Sequence, residues 1–253
     1  MTLPSAFLNV PLAHRALHDL AAGRPENSRA AVRAAVEAGF GIEIDLQLSA
    51  DGKAMVFHDY GLERLTAERG ALRLRDADAL AKIPLKGGDE GIPTLEEILD
   101  LVAGRVPLLV EFKDQDGSMG PDVGALEAAA AGPLAAYRGD LAVMSFNPYS
   151  VRELSRLLPD VPRGLTTSGY RADEWPLPTA TCDRLREIPD YADCGACFIS
   201  HEADDLSRSR VAELKAGGAA VLCWTIRSQA EEDIARQVAQ NVTFESYLPQ
   251  PRP

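Results

Sequence analysis

Short apolar runs alternate with helical stretches along nearly the whole of this 253-residue chain. Such alternation is typical of βα units that build a parallel sheet, and a length of about 250 residues is typical of a single TIM (β/α)8 barrel. We therefore expect an α/β barrel formed by one domain over residues 1–253. The runs that predict strands cover residues 8–13, 41–47, 107–112, 141–145, 161–166, 195–200, 219–225 and 242–244. Helices are expected between them, among others over residues 27–38, 125–136, 150–158, 207–216 and 229–239.

Two segments interrupt this pattern. Asp51-Gly52 predicts a tight turn into a hairpin strand over residues 53–57. Residues 60–91, which follow, are charged, contain several glycines and show only broken periodicity, so they are expected to form a small insertion after the second strand. Residues 168–193 contain Trp175 and three prolines, which predicts an irregular loop.

Two of the apolar runs carry charges where burial would exclude them. Side chains alternate across a strand, so Glu43 and Asp45 share one face of the second run and its aliphatic residues share the other. Glu111 and Lys113 repeat this arrangement on the next run. In half-exposed antiparallel strands these charges would face water, but the βα pattern favours a parallel sheet covered on both sides. Carboxylates buried there need a cation, because an unpaired buried charge is costly.

Histidines and an aromatic residue lie at the predicted carboxyl ends of the strands, where TIM barrels carry their chemistry. His14-Arg15 follows the first strand, His58 follows the hairpin strand and His201 follows the sixth parallel strand. Trp224 lies at the end of the seventh. We expect these side chains to share one face of the barrel with the carboxylates.

The charged residues suit the cleavage of a phosphodiester. Glu43, Asp45 and Glu111 form a hard, oxygen-rich ligand set that suits one divalent cation, Mg²⁺, Ca²⁺ or Mn²⁺, better than zinc. Arg15 and Lys113 are candidates for binding phosphate oxygens, the first through its planar fork and the second as a point charge. The predicted site therefore joins a metal to a phosphate-binding pair.

Four histidines occur in the chain, and two of them are candidates for acid/base catalysis. A single histidine at a strand end is more often structural, but His14 and His58, converging with three carboxylates, favour a catalytic pair. His201 and Trp224 are candidates for lining the same pocket, with a structural role favoured for His201.

The charge and composition of the chain limit the classes of partner and the location that we expect. The formal charge of −12 and the pI near 4.8 argue against a nucleic acid or an anionic membrane surface, and no apolar run is long enough to span a bilayer. Residues 1–10 lack the basic start and apolar stretch of a signal peptide, so a cytoplasmic protein is expected. Four cysteines make no disulfide scaffold, and a zinc site at Cys194, Cys197 and His201 is the less favoured interpretation because no second ligand pair follows. The oligomeric state stays open.

The sequence resembles the glycerophosphodiester phosphodiesterase family at these same residues. The order of the motifs runs through nearly the whole chain, which makes the resemblance specific. The matching pieces are His14-Arg15, Pro25-Glu26-Asn27-Ser28, Glu43-Ile44-Asp45, Asp51-Gly52 with His58-Asp59, Ile92-Pro93-Thr94-Leu95-Glu96-Glu97, Glu111-Phe112-Lys113, Ser145-Phe146-Asn147 and Trp224-Thr225.

The resemblance implies a TIM barrel with an insertion after the second strand. It implies hydrolysis of small glycerophosphodiesters to sn-glycerol 3-phosphate and an alcohol, by a route in which the glycerol hydroxyl attacks first and forms a cyclic phosphate. Carried over by residue, it implies a divalent metal on Glu43, Asp45 and Glu111, an acid/base pair of His14 and His58, and phosphate binding by Arg15 and Lys113.

Three features depart from the family pattern. Ala16 takes the place of the usual glycine after His14-Arg15, so we expect this turn to avoid a positive φ angle. The loop over residues 17–24 is longer than usual. Residues 244–249 read Phe-Glu-Ser-Tyr-Leu-Pro, where the family tends to have an aspartate or tyrosine and then a proline. These departures concern the substrate scope more than the catalysis.

Two other functions are compatible with the same barrel. A phospholipase-like enzyme acting on lipid phosphodiesters would need an exposed apolar lip, which the charged insertion over residues 60–91 does not supply. A non-catalytic barrel used for binding would have no reason to keep so costly a set of buried charges. The phosphodiesterase is the favoured hypothesis.

Overall fold

Eight parallel strands form a closed barrel in the computed structural model, which describes residues 1–250. The barrel strands are β1 (Leu12–Ala13), β2 (Gly41–Leu48), β4 (Leu108–Phe112), β5 (Leu141–Ser145), β6 (Arg163–Thr167), β7 (Phe198–Glu202), β8 (Ala220–Ile226) and β9 (Asn241–Phe244). A further strand, β3 (Ala54–Val56), pairs antiparallel with β2 and forms the predicted hairpin. The order around the barrel is β1-β9-β8-β7-β6-β5-β4-β2, and β1 closes it by pairing with both β2 and β9.

Helices connect successive strands, so the α/β TIM barrel predicted from the sequence is confirmed. The helices are α1 (Ala6–Asn9), α2 (Arg29–Ala38), α3 (Ala77–Leu80), α4 (Leu95–Val102), α5 (Ala125–Ala136), α6 (Pro148–Leu157), α7 (Thr179–Arg186), α8 (Ser209–Ala216) and α9 (Gln229–Ala235). Across residues 1–250, no helix combines the length and the apolar character needed to cross a bilayer.

The alternation along β2 separates the two faces of the sheet. Ile42, Ile44 and Leu46 are fully buried in the large apolar cluster between the strands and the helices. Glu43 and Asp45 project to the other side, into the barrel. This is the arrangement expected from the period of two in a β-strand.

The first predicted strand, over residues 8–13, is largely wrong. Residues Ala6–Asn9 form the short helix α1, and only Leu12–Ala13 are in β1. Phe7 is fully buried and joins Leu12 and Phe198 in a cluster that fills the amino-terminal end of the barrel. A helix that covers the end of a barrel must be as apolar as a strand. Hydrophobicity alone therefore does not distinguish such a helix from a strand.

A small insertion after the second strand is confirmed, and it follows the hairpin. It contains α3 and a 3-10 helix at Leu72–Leu74, and it has an apolar cluster of its own around Phe57, Leu62 and Leu80. Arg64 from this insertion reaches back to the edge of the barrel mouth.

Two predictions in the second half of the chain need correction. Residues 168–193 are not irregular throughout, because α7 lies within them and packs Cys182 and Leu185 against Tyr170. The strand predicted over residues 195–200 is β7 at Phe198–Glu202, so His201 lies on the strand rather than after it. The mixed polarity of residues 168–193 did not indicate α7. The predicted strand included the residues directly before Phe198, although they form turns.

Candidate active site

The strand register brings the predicted carboxylates together inside the barrel. β2 and β4 are parallel neighbours, and Asp45 is paired with Glu111. Oxygen atoms of Glu43, Asp45 and Glu111 all lie within 4.8 Å of one another, and each residue is at most 5% exposed. We call these three residues the acidic trio.

The crowding of the acidic trio shifts the pKa values of its carboxyl groups. Burial, together with the charges of Asp45 and Glu111, raises the pKa of Glu43 well above its usual value. Burial also opposes the ionisation of Asp45, but Lys113, His58 and Arg15 outweigh it and lower the pKa of Asp45. The same cavity therefore holds one carboxyl group whose pKa is raised beside one whose pKa is lowered.

The trio fits a divalent cation. Oxygen atoms bound to one ion at about 2.0–2.6 Å can be up to about 5 Å apart, and the oxygen atoms of the trio lie within 4.8 Å of one another. A hard, all-carboxylate set suits Mg²⁺, Ca²⁺ or Mn²⁺. A second group of side chains, His14, His18 and Glu245, also has ligand atoms within 4.8 Å of one another, but its mixed nitrogen and oxygen atoms suit a transition metal instead.

Lys113 and Arg15 neutralise the trio. The Nζ atom of Lys113 lies 2.9 Å from Oδ1 of Asp45 and also contacts Glu111. The Nε atom of Arg15 is 3.6 Å from Oδ2 of Asp45, while its Nη1 donates to Glu26 at 2.7 Å. The burial of Lys113 is outweighed by its two carboxylates, which raise the pKa of this lysine.

Backbone and amide groups hold the carboxylates in place. The backbone N–H of Arg15 donates to Glu43 at 2.9 Å. Asn27 donates from Nδ2 to Asp45 at 2.9 Å and accepts from the backbone N–H of Asp45 at 3.3 Å. Asn27 is buried and has a φ of 57°. The motif that contains Asn27 was part of the family resemblance, but its role in orienting Asp45 is visible only in the structure.

The turn after β1 corrects one prediction. Arg15 has a φ of 53° and Ala16 a φ of 65°, so the turn does not avoid the left-handed region although it lacks glycine. Ala16 is 2% exposed, and its N–H donates to the backbone oxygen of Glu43 at 3.0 Å. Tertiary contacts thus impose a conformation that an alanine disfavours by about 1–2 kcal/mol.

Both predicted catalytic histidines face the cavity, and each has a carboxylate behind it. The Nδ1 atom of His58 is 2.6 Å from Asp59, whose carboxylate is held in turn by Arg64 from the insertion at 2.6 Å and 2.7 Å. The Nδ1 atom of His14 is 2.6 Å from Glu245. Burial lowers the pKa of His14 despite this hydrogen bond. Glu245 and Arg64 were not among the predicted site residues.

These residues enclose a cavity of about 180 Å³ at the carboxyl ends of the strands. Trp224 and Phe146 form one wall, with ring centroids 5.5 Å apart at 83°. The hydroxyl oxygens of Ser200 and Thr243, also in the lining, are buried without a hydrogen-bond partner among the described residues. Unpartnered polar groups on an enclosed surface suit a polar ligand.

Eight of the nine predicted site residues line this cavity, and the ninth, His201, does not. His201 is fully buried beside it, where Nδ1 lies 2.8 Å from Thr167 Oγ1 and Nε2 lies 3.2 Å from Asp205. Both ring nitrogens of His201 therefore have polar partners outside the cavity lining. The lining comprises His14, Arg15, Glu43, Asp45, His58, Glu111, Lys113 and Trp224 together with residues not predicted.

A TIM barrel that gathers carboxylates, basic residues and paired histidines in a cavity at the carboxyl ends of its strands has the architecture of an enzyme. Residues 14–243 match the model of the glycerophosphoryl diester phosphodiesterase family. The chain belongs to this family, so the resemblance found in the sequence is confirmed. The prediction of a phosphodiesterase is confirmed at the level of the family.

Individual relatives agree with this assignment. The chain is similar to a glycerophosphodiester phosphodiesterase of Caldanaerobacter subterraneus, with 31% identity over 60% of this chain and 65% of that protein. It is 25% identical to a glycerophosphodiester phosphodiesterase of Bacillus subtilis over 75% of this chain and 68% of the relative. A phosphodiesterase structure from Oleispira antarctica, in complex with the product sn-glycerol-3-phosphate, has the same fold, with a TM-score of 0.78, 24% identity and coverage of 96% and 94%.

Proposed function

We propose that the protein is a metal-dependent phosphodiesterase that hydrolyses small glycerophosphodiesters to sn-glycerol 3-phosphate and an alcohol. The observation that carries this proposal is the convergence of the acidic trio with His14 and His58 in one cavity. Membership of the family and the names of the relatives support the reaction. The product bound to the Oleispira antarctica protein supports glycerol 3-phosphate as the shared product.

The acidic trio would hold one divalent cation, Mg²⁺, Ca²⁺ or Mn²⁺. When bound, such an ion polarises a phosphoryl oxygen and offsets the charge that develops in the transition state. The chain's own contribution is to keep the three carboxylates close together in spite of their repulsion. Asn27 and the backbone N–H of Arg15 do this by donating to Asp45 and Glu43.

Arg15 and Lys113 would bind the phosphate. Both are cations within the cavity lining, and the Nε atom of Arg15 is buried without a hydrogen-bond partner among the described residues. A guanidinium N–H without a hydrogen bond in this position suits a phosphate oxygen. Lys113, paired with Asp45 and Glu111 in this structure, would share its charge with the substrate.

His14 and His58 would divide the proton transfers. One removes the proton from the attacking hydroxyl group, and the other donates a proton to the leaving oxygen. Each imidazole has its Nδ1 atom against a carboxylate, so Nε2 is the nitrogen left for the substrate. The proposal includes the route in which the glycerol hydroxyl attacks first and forms a cyclic phosphate.

The cavity favours a small, water-soluble substrate. Its volume of about 180 Å³ is below the 300–1,000 Å³ of pockets that hold drug-sized ligands. The net charge of −12 disfavours a nucleic acid or an anionic membrane as partner. A cytoplasmic location and one catalytic domain over residues 1–253 complete the proposal, although residues 251–253 lie outside the described part of the chain.

Incubation with glycerophosphocholine and with glycerophosphoethanolamine tests this function. Released glycerol 3-phosphate is measured with Mg²⁺, Ca²⁺, Mn²⁺ or EDTA. We expect turnover with at least one cation, no turnover with EDTA, and a loss of about 100-fold or more in His58→Ala and Glu111→Gln. The wild-type protein with a simple aryl phosphodiester is the control for a general phosphodiesterase. No release of glycerol 3-phosphate with any cation would refute the proposal.

A further inference from the structure

The two ends of the described chain meet at His14. The backbone N–H of His14 donates to the oxygen of Phe244 at 2.8 Å, because β1 and β9 close the barrel as neighbours. Glu245 is the first residue after β9, and its Oε2 atom lies 2.6 Å from Nδ1 of His14. Barrel closure thus delivers a carboxylate to a histidine that is 231 positions away in the sequence.

Glu245 is itself held from a second side. Its Oε1 atom accepts from Nε of Arg227 at 2.8 Å, and its Oε2 atom is also 3.7 Å from Nε2 of His18. The side chain of Glu245 is 16% exposed and that of His14 is 15% exposed. A carboxylate anchored in this way has little freedom to leave the imidazole.

The other histidine of the cavity has the same arrangement. Asp59 lies 2.6 Å from Nδ1 of His58, and Arg64 anchors Asp59 just as Arg227 anchors Glu245. The two carboxylates differ in origin, since Asp59 adjoins His58 in sequence and Glu245 comes from the opposite end of the chain to His14. A repeated geometry at both imidazoles indicates a shared role.

We propose that Glu245 is a positioning residue for His14, which keeps the ring proton on Nδ1 and leaves Nε2 as the nitrogen that exchanges a proton with the substrate. This inference rests on the proposed function. When Nε2 accepts a proton, the Nδ1 proton stays in place, the ring becomes an imidazolium, and the Glu245 carboxylate stabilises its charge. When Nε2 returns that proton to an oxygen, the ring is neutral again.

Ring ¹⁵N spectra test the tautomer without any activity measurement. With only four histidines in the chain, a His14→Gln variant assigns the His14 signals. We expect neutral His14 to carry its proton on Nδ1 in the wild type and to shift towards the Nε2–H tautomer in Glu245→Ala. A wild-type His14 protonated on Nε2, or an unchanged tautomer in Glu245→Ala, would overturn the inference.

Steady-state kinetics tests the consequence for catalysis. We expect Glu245→Ala to lower kcat about 100-fold with KM within about threefold, and Glu245→Gln, which keeps an acceptor but no charge, to recover part of that loss. Glu231→Gln is the matched control, because Glu231 accepts from the backbone N–H of Arg227 at 2.7 Å and does not touch His14. A Glu245→Ala variant with normal kcat would also overturn the inference.

The two proposals fail in different ways. A wild-type protein that hydrolyses glycerophosphodiesters, but whose His14 tautomer does not depend on Glu245, refutes the inference and leaves the proposed function intact. A wild-type protein that has the expected tautomer, but releases no glycerol 3-phosphate, refutes the proposed function and leaves the pairing of Glu245 with His14 intact. If Glu245→Ala does not fold, the wild-type spectrum and Glu245→Gln still decide.

Discussion

Lys113 places its ammonium group 2.9 Å from the Asp45 carboxylate, within the acidic trio itself. The lysine comes from the residue after β4 and the aspartate from β2, so the contact exists only because these strands are neighbours. With Glu111 as its second partner, Lys113 is the protein's own counter-cation for a buried cluster of negative charge.

Removing this ammonium should therefore destabilise the metal-free protein. We expect Lys113→Met to lower the free energy of unfolding by roughly 3–5 kcal/mol, since it leaves buried carboxylates uncompensated. Added Mg²⁺ should restore more of the melting temperature in this variant than in the wild type. Thermal unfolding with and without Mg²⁺ measures both effects, and the exposed Lys82→Met serves as control. Equal stability of the two variants would contradict the role given to Lys113.

Glu43 should lower the free energy of unfolding of the metal-free protein, because its carboxyl group is kept buried among like charges for the proposed metal site. Its carboxyl group is buried beside two others, and their repulsion is what raises its pKa. We expect Glu43→Gln in EDTA at pH 8 to raise the free energy of unfolding by about 1 kcal/mol or more, a shift of about 2–4 °C in melting temperature. Turnover with metal should fall about 100-fold. A less stable Glu43→Gln protein would show that the hydrogen bond from Arg15 outweighs the repulsion.

His201 should affect stability and its pH dependence but not turnover. Burial holds the pKa of His201 below its usual 6.5, so unfolding takes up a proton at this residue. The contribution of neutral His201 to the free energy of unfolding is fully present above pH 6.5, and it is lost as the pH falls from there towards the pKa of His201 in the folded protein. We expect His201→Gln to remove this part of the pH dependence, up to about 1.4 kcal/mol per pH unit, in urea unfolding between pH 5 and pH 7.5.

The control for this prediction is kinetic. His201 does not line the cavity, so kcat of His201→Gln should stay within about threefold of the wild type. A loss comparable with that of His58→Ala would instead place His201 in the reaction.

Ala16 and Ala13 offer a matched pair for the strained turn. Both are buried alanines, but Ala16 has a φ of 65° and Ala13 lies in the extended strand β1. Glycine relieves left-handed strain of about 1–2 kcal/mol at Ala16 and none at Ala13. We therefore expect Ala13→Gly to be more destabilising than Ala16→Gly by about that amount in urea unfolding. Equal losses would show that the turn carries no strain.

Local patterns in the sequence were sufficient to predict most of the strands and most of the residues that line the cavity. Short apolar runs identified most strands, and the period of two separated Glu43 and Asp45 from their aliphatic neighbours, because these properties depend only on adjacent residues. The motifs also indicated most of the residues that line the cavity, since in a parallel barrel all carboxyl ends of the strands meet at one mouth.

What the tertiary structure decided depends on residues far apart in sequence. The barrel had to close before Glu245 could reach His14, and the insertion had to fold back before Arg64 could hold Asp59. The positive φ of Ala16 and the helix at Ala6–Asn9 likewise go against local preference or local appearance. Propensity and periodicity describe neighbours along the chain, whereas these features are set by contacts across the barrel, and only the folded chain contains those contacts.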